Sequence, residues 1–280
     1  MFEVTSELVG RIEEILGRGL CHGQGDPSKQ MCVEAAVCYA MGLPHGDNPP
    51  CVGEAVRFFK MSLNDSTWSS DLARANGMRK IAIAQLGSNT LDQVEFARII
   101  SEKTIRILIP TLFREVFKDK EACLRAADLC EMGGGSTYAA DHAARAASAT
   151  KIAGAARVAA DAAYAAADAA YAANAADRAA HVAAAAAYTD TATCAAVNAA
   201  YDATSAAAYA AAAASYATTA AARLAADTYE AAAIANDYIS YAAAGQASDK
   251  YLTLSAELCY QVLDEMNSPG AVWMRENNWQ

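Results

Sequence analysis

Apolar residues recur at helical spacing through most of residues 1–131. In the first run they return every three or four positions from Phe2 to Leu16, and Gly17 and Gly19 follow. A period near 3.6 residues places such side chains on one face of a helix, and glycine commonly ends a helix. The pattern therefore predicts a first amphipathic helix that ends at these glycines.

Loops rich in proline, glycine and asparagine separate this run from the next ones. Asp26 followed by Pro27 is typical of a helix start, with an N-cap residue and a proline at the first helical position. We therefore expect a second helix from Asp26 to a stop at Gly42. The following loop, residues 43–51, contains three prolines and must be a shaped, non-helical connection.

Two further helices are predicted on either side of a polar turn. The first is expected at about residues 51–63, and the turn at residues 64–70 ends in serines that can cap the next helix. That helix is expected at about residues 71–87, because apolar residues recur there at helical spacing and a glycine ends the run.

The run after residue 87 carries two further signals. Thr90 and Gln93 have the spacing of a capping box, in which each side chain bonds the other residue's backbone. Pro110 must kink or divide the apolar run that precedes it, because proline lacks a backbone N–H. Residues 104–109 are the best strand candidate in this half, but they are short and lie among helical patterns.

The composition changes abruptly at residues 132–137, where three glycines precede a tract that is about half alanine and contains no proline. Alanine is the strongest helix former, and a fold into shorter antiparallel helices is expected rather than one long rod. The sequence thus predicts an all-α protein with four parts. Residues 1–131 form an amphipathic helical domain with polar loops, 132–137 a glycine-rich linker, 138–247 an alanine-rich antiparallel helical bundle, and 248–280 a C-terminal helix and tail.

Charge and composition exclude some classes of binding partner. The chain has 22 Lys and Arg against 32 Asp and Glu, a formal net charge of -10, so general nucleic-acid binding is not expected. The start lacks the residue order of a signal peptide, and the 8 cysteines form no CxxC pair, which indicates a reducing cytoplasm. Residues 203–222 carry no charge but lack the residues that drive insertion best, so no membrane association is expected.

Basic and polar residues gather around the turn at residues 64–70 of this otherwise acidic chain. Arg and Lys bind phosphate oxygens, a helix N-terminus adds N–H donors, and an indole can stack on a base. The pattern predicts a non-enzymatic binding protein with a pocket for an anionic, nucleotide-like small molecule. The predicted ligand-binding residues are Arg57, Lys60, Asn64, Asp65, Trp68, Ser69, Arg74, Arg79, Glu34 and Asp47.

The stretch from GDPSKQMCVEAAVCYAMG to MRKIAIAQLGS, residues 25–88, resembles a segment of uncharacterised proteins from bacteriophages and bacteria. This resemblance implies a phage or mobile-element setting, in which small acidic proteins inhibit or absorb host defences. The expected role is then a counter-defence factor that sequesters a signalling molecule in the host cytoplasm. The resemblance implies no reaction and supplies no catalytic residues. The alanine-rich tract is also similar in texture to helical immunity proteins of bacteria.

A second hypothesis is a protein–protein inhibitor or immunity-type binder. Aspartate and tyrosine recur every seven residues in the alanine-rich tract, as at Asp161 and Asp168 or Tyr164 and Tyr171. Tyrosine is favoured at interfaces and an acidic face can imitate nucleic acid, so a host protein is the alternative partner. Alanine faces also allow close helix packing, which makes a homo-oligomer reasonable. A structural or ice-binding role ranks last, because the threonines are irregularly spaced.

The sequence gives weaker support for a catalytic or metal-binding function. A cysteine-dependent hydrolase would need Cys38 or Cys51 beside His22 or His45, and nothing in the sequence fixes that geometry. The cysteines and histidines of residues 21–51 also fit no common zinc-binding spacing. We therefore expect no catalytic residue, no metal and no cofactor.

Overall fold

The computed structural model describes residues 2–116, 120–132, 143 and 240–279. Those residues form helices, turns and isolated β-bridges, without a sheet. The predicted all-α fold is confirmed, whereas the predicted linker and alanine-rich bundle fall almost entirely outside the described residues. None of the described helices is long and apolar enough to cross a membrane. They are, in chain order, α1 (Ser6–Leu16), α2 (Val33–Ala40), α3 (Glu54–Asn64), α4 (Asp71–Ala84), α5 (Gln93–Lys103), α6 (Ile109–Val116), α7 (Glu121–Met132), α8 (Ser240–Glu265) and α9 (Pro269–Glu276).

Side-chain oxygens cap the first turns of α1 and α4. The Thr5 hydroxyl accepts a 3.2 Å hydrogen bond from the Leu8 N–H, and the Ser70 hydroxyl accepts a 3.0 Å bond from the Ala73 N–H. Such caps satisfy N–H groups that have no partner inside the helix. The predicted serine cap is confirmed at Ser70, and α1 ends at Gly17 as predicted.

The second helix begins later in the chain than predicted. Its first residue is Val33, with Cys32 as the N-cap, whereas Asp26 and Pro27 lie in a loop. The Asp26 carboxylate accepts 2.8 Å hydrogen bonds from both the backbone N–H and the hydroxyl of Ser28. The prediction of a helix from Asp26 is wrong because this side chain stabilises a local turn, which competes with its use as a helix cap.

The predicted capping box of Thr90 and Gln93 is also wrong. Asp92 caps α5 instead, and its carboxylate accepts backbone hydrogen bonds of 2.9 and 3.1 Å. Gln93 donates a 3.0 Å bond to the Ser88 carbonyl and accepts a 3.1 Å bond from the Ala55 N–H near the start of α3. Since Asp92 directly precedes the helix and reaches its first N–H groups, the glutamine is available to join α5 to α3.

Between α5 and α6 the backbone changes from α-helix to π-helix. Residues Thr104–Leu108 form a π-helical segment, so the weak strand candidate at residues 104–109 is helical. Pro110 follows directly as the second residue of α6. Its ring nitrogen has no hydrogen to donate, so the regular α-helical bonding cannot continue through it unchanged. The division predicted at Pro110 therefore takes the form of a change in helix type.

The C-terminal helices pack on the N-terminal ones. α8 lies mainly against α4 and α5, and α9 lies against α4. The Ser268 hydroxyl donates a 2.6 Å hydrogen bond to the Ala84 carbonyl at the end of α4. α8 ends at Glu265, and Pro269 and Gly270 open α9. Side chains of the N-terminal and C-terminal regions form one continuous hydrophobic core.

Candidate functional site

Lys60 on α3 forms a buried ion pair with Glu34 on α2. Lys60 Nζ lies 2.6 Å from Glu34 Oε1, and both side chains are 0% exposed. Burial raises the pKa of the Glu34 carboxyl, because it disfavours the charged form more than the neighbouring ammonium favours it. Lys60 is therefore enclosed with its counter-charge and is not presented to a ligand.

Arg74 is equally enclosed, at the base of the α3–α4 turn (residues 65–70). Its Nε donates a 2.8 Å hydrogen bond to the Asn64 carbonyl, and its Nη1 donates a 2.7 Å bond to the Leu20 carbonyl. The same Nη1 lies 2.8 Å from the Asp71 carboxylate. These bonds join the end of α3 and the loop after α1 to the start of α4, so Arg74 has a structural position.

Trp68 and Ser69 in the α3–α4 turn also have partners within the protein. Trp68 is 7% exposed, and its Nε1 donates a 3.0 Å hydrogen bond to the Leu63 carbonyl. Its ring lies so close to Gly77 that a Cβ there would meet it at 2.4 Å. The Ser69 N–H donates a 2.9 Å bond to Asp249 on α8, and the Ser69 hydroxyl bonds the same carboxylate. In this arrangement the indole is not placed to stack on a ligand.

Arg57 and Arg79 are half-buried on different parts of the surface. The Arg57 guanidinium lies 5.0 Å from the centre of the Phe58 ring. Arg79 Nε donates a 2.9 Å hydrogen bond to Glu13 on α1, and its guanidinium lies 4.5 Å from the Trp279 ring. The structure thus gives each predicted cation its own protein partners and does not gather the cations around one cavity.

Four of the predicted residues do line a single cavity of about 30 Å³, which we call the acidic cavity. Asn64 donates hydrogen bonds of 2.9 Å to the Cys21 carbonyl and 3.0 Å to the Asp65 carboxylate, and Asp65 also accepts a 2.8 Å bond from the Gly23 N–H. Asp47 and Asp65 place negative charge in its wall, whereas Glu34 is already paired with Lys60, so the cavity disfavours an anion. It is lined by Gly23, Gln24, Cys32, Val33, Glu34, Asp47, Met61, Asn64 and Asp65.

A larger, open concavity with a volume of about 470 Å³ lies beside the π-helical segment, where no site was predicted from the sequence. We call it the basic groove, because three cationic side chains line it together with two carboxylates and two isoleucines. The residues of its wall come from α5, the π-helical segment and the end of α8. They are Arg98, Ile99, Glu102, Lys103, Arg106, Ile107 and Glu265.

One carboxylate in the basic groove is shared by two guanidinium groups. Glu102 lies 3.2 Å from Arg98 and 2.9 Å from Arg106. Arg98 also forms a 2.7 Å ion pair with Glu95, and this hydrogen bonding raises the pKa of the arginine. The side chains of Arg98 and Arg106 are 43% and 44% exposed, so water reaches the ion pairs that these two arginines form with Glu102.

Lys103 connects the two sides of the basic groove. Its Nζ lies 2.8 Å from Glu265, which is 162 positions away in the sequence and near the end of α8. The spacing of Arg98, Glu102 and Arg106 at four-residue intervals was a signal in the sequence for a charged helix face. The concavity itself depends on α8 and could not be read from that spacing.

The thiols named for a hydrolase lie in unreactive surroundings. Burial raises the pKa of Cys38 to about 11, and it also raises the pKa of Cys51. Neither thiol hydrogen-bonds a histidine in the described ranges, and His45 Nε2 lies 3.1 Å from the Gly25 carbonyl. Across residues 2–116, 120–132, 143 and 240–279, no three His, Cys, Asp or Glu side chains are arranged to hold a metal ion.

The ten predicted ligand-binding residues therefore separate into two sets. Glu34, Asp47, Asn64 and Asp65 share the acidic cavity, while the other six do not line it. The repeating aspartate and tyrosine positions of the alanine-rich tract lie outside the described residues, so the host-protein hypothesis stays a prediction. Comparisons with protein-family models, curated proteins and solved structures find no match to this chain.

Proposed function

We propose that this protein is a non-enzymatic binding protein that holds a small anionic molecule in the basic groove. The observation that carries the proposal is a concavity of about 470 Å³ with Arg98, Lys103 and Arg106 in its wall. Pockets for small molecules commonly occupy about 300–1,000 Å³, so the groove has room for a nucleotide-sized ligand. Its lining carries three positive and two negative side chains in a chain whose formal net charge is -10.

The ion pairs of the basic groove can be exchanged for pairs with a ligand. Exposed ion pairs stabilise a protein by about 0–1 kcal/mol each, because water already solvates both partners. A phosphate group that displaced Glu102 would keep Arg98 and Arg106 paired and add charge-assisted hydrogen bonds. We therefore infer that Glu102 occupies the position that a ligand's anionic group would take.

The apolar part of the groove favours a ligand that is more than an inorganic anion. Ile107 is 37% exposed, although large hydrophobic side chains usually avoid water, and Ile99 lies beside it in the lining. An aromatic base or another flat ring would cover these side chains while its phosphates met the arginines. This combination supports a nucleotide-like ligand, as predicted from the sequence, but at a site different from the predicted one.

Sequestration of such a molecule is the biological role we propose. The phage setting is an expectation from the sequence of residues 25–88, and in that setting a protein that only binds a defence signal would lower its free concentration. Binding alone achieves this result, so the role requires no catalytic residue. The host cytoplasm is the compartment in which such a counter-defence factor would act.

Isothermal titration calorimetry with ADP-ribose and a cyclic dinucleotide tests the proposal, with inorganic phosphate as the reference anion. Arg106→Gln should weaken nucleotide binding about ten- to hundredfold, since a hydrogen bond to a charged group contributes about 1.5–3 kcal/mol. Glu102→Gln should strengthen binding, because it removes the competing carboxylate. Arg125→Gln is the matched control, as Arg125 also pairs with a glutamate on its own helix but lies outside the groove.

The variants Arg106→Gln and Glu102→Gln should change the affinity in opposite directions. A structural defect would weaken binding in both variants, whereas the proposal requires opposite changes at Arg106 and Glu102. The absence of binding heat for every nucleotide, in the original protein and in Glu102→Gln, would overturn the proposal. Equal losses in Arg106→Gln and Arg125→Gln would show a general effect of net charge and would also contradict it.

A further inference from the structure

We propose that the ligand of the basic groove carries two anionic groups, such as the phosphates of a diphosphate or of a cyclic dinucleotide, and that Lys103 binds the second group. This inference rests on the proposed function and deepens it, because it names the class of ligand. The observation that carries it is a pair of separate counter-charges, Glu102 and Glu265, in the wall of one open concavity.

The first anion position is the one that Glu102 occupies. Arg98 and Arg106, each four residues away from Glu102, both reach its carboxylate, at 3.2 and 2.9 Å. The two guanidinium groups thus converge on one anion from successive turns of the helix. A phosphate group there can accept charge-assisted hydrogen bonds from both arginines at once.

The second anion position lies toward α8, where Lys103 pairs with Glu265. Lys103 Nζ lies 2.8 Å from Glu265 Oε1, and the lysine side chain is only 19% exposed, whereas that of Glu265 is 53% exposed. Glu265 is the last residue of α8 and can turn into solvent at little cost, because water solvates its carboxylate. The ammonium group is held in the wall by its largely covered stem and is then available to a ligand.

The two positions point in different directions from the same helix. Glu102 and Lys103 are consecutive in the sequence, and consecutive residues of a helix are rotated by about 100° around its axis. A ligand with a single anionic group that displaced Glu102 would therefore leave Lys103 paired with Glu265. A second anionic group is needed to use the lysine.

The charges of the groove match two anionic groups better than one. Its wall holds three cations and two carboxylates, so only one positive charge is in excess while both carboxylates keep their places. When Glu102 and Glu265 turn into solvent, all three cations face the ligand. Two phosphate groups supply an opposite charge of comparable size.

The backbone beside Lys103 also departs from a regular α-helix. The Ile109 N–H donates to the Thr104 carbonyl, five residues earlier, which defines the π-helical segment that begins directly after Lys103. Such turns are rare and are frequently found at functional sites. This segment contributes Arg106 and Ile107 to the wall of the groove, so the irregular backbone shapes part of the proposed site.

Isothermal titration calorimetry of the full chain with three nucleotides tests the inference. AMP carries one phosphate, ADP carries two adjacent ones, and cyclic di-AMP holds two phosphates apart in a ring. ADP or cyclic di-AMP should bind about ten- to hundredfold more tightly than AMP, because the second phosphate gains a hydrogen bond between charged groups. Tighter binding of ADP would identify adjacent anionic groups, and tighter binding of cyclic di-AMP would identify separated ones.

Lys103→Met decides whether this gain over AMP comes from the second position. The variant should bring the affinity for the preferred two-phosphate nucleotide close to that for AMP, because methionine replaces the lysine stem without its charge. Glu265→Gln should enlarge the gain, since it removes the competing carboxylate. Lys80→Met is the matched control and should keep the gain: Lys80 also pairs with a glutamate of α8, Glu257, at 3.1 Å but lies outside the groove.

The outcomes separate this inference from the proposed function. Equal affinities for all three nucleotides in the original protein would overturn the inference and leave the proposed binding function standing. A gain that survives in Lys103→Met, or equal losses of the gain in Lys103→Met and Glu265→Gln, would also overturn it. The absence of binding for every nucleotide would overturn the proposed function and this inference with it.

Discussion

Basic residues lie both beside the α3–α4 turn and in the basic groove, and these two regions differ in how far the charged groups are buried. On either side of the α3–α4 turn, Lys60 and Arg74 lie in the interior and are held by Glu34 and by backbone carbonyls. In the basic groove, the guanidinium groups that share Glu102 are almost half exposed. A local excess of basic residues in a sequence can thus indicate structural ion pairs as readily as a ligand site.

The difference has a simple energetic origin. A buried charge has lost its water, so removing its partner leaves it uncompensated at a cost of several kcal/mol. An exposed charge keeps most of its hydration, and its partner can be replaced by a ligand at little cost. The basic groove therefore differs from the α3–α4 turn because a ligand can replace the carboxylates that pair with its cations. The number of cations does not make this difference.

The largest expected effect comes from breaking the buried pair. Lys60→Met should lower the free energy of unfolding by about 3–5 kcal/mol, because it leaves the Glu34 carboxylate without its counter-charge. Arg106→Met in the basic groove should change that free energy by less than about 0.5 kcal/mol. Urea unfolding followed by circular dichroism measures both, and similar losses in the two variants would contradict the comparison.

A double variant separates the lost pair from a general packing defect. Replacing both partners, as in Glu34→Leu with Lys60→Met, removes the uncompensated charge together with the lysine. Its stability should return to near that of the original protein, since buried ion pairs are often replaceable by apolar residues of similar size. A double variant as unstable as Lys60→Met alone would show that shape, and not charge, explains the loss.

A smaller effect tests whether the indole of the α3–α4 turn faces the interior. Gly77→Ala should destabilise the protein by about 1–3 kcal/mol, because the new methyl group would overlap the Trp68 ring. Gly10→Ala is the matched control: Gly10 lies in α1, and a Cβ there meets no atom within 4 Å. It should stabilise the protein by about 0.5–1 kcal/mol through helix propensity. A neutral Gly77→Ala would mean that Trp68 is free to stack on a ligand.

The sequence predicted those features that depend on neighbouring residues. The helical periodicity, the cap at Ser70 and the stop at Gly17 are local, and each is confirmed. The errors at Asp26 and Thr90 arose where two local uses of a side chain compete, and only the folded chain shows which one prevails. A sequence pattern alone does not settle that competition.

The candidate sites depend on contacts between distant residues, which explains why they were only partly predicted. Glu34, Asp47, Asn64 and Asp65 were among the predicted ligand-binding residues, but the cavity that they share and the burial of Glu34 with Lys60 were not predicted. The basic groove requires Glu265 on a helix far along the chain. Local patterns identified polar residues correctly and could not reveal which charges would be buried together.

The smallest expected effect concerns the pH dependence of stability, and it again contrasts the buried pair with exposed carboxylates. Burial raises the pKa of Glu34 in the folded protein, Lys60 and Arg57 oppose that shift, and Asp47 adds to it. Between the ordinary glutamate pKa and the raised value, the folded state holds a proton that the unfolded state has released. Glu34 therefore makes stability fall as the pH rises through this window, and its contribution is constant below and above it.

Glu34→Gln should remove this pH dependence. The free energy of unfolding, measured in urea from about pH 4.5 upward, should fall more steeply with pH in the original protein than in the variant. The matched control is Glu95→Gln: hydrogen bonding to Arg98 lowers the pKa of this partly exposed carboxyl, so its contribution to stability changes only below the ordinary glutamate pKa, and the variant should keep the slope of the original protein from about pH 4.5 upward. A difference between Glu34→Gln and the original protein that does not vary with pH would mean that Lys60 keeps Glu34 ionised throughout. The pair would then be held by mutual attraction strong enough to overcome its burial.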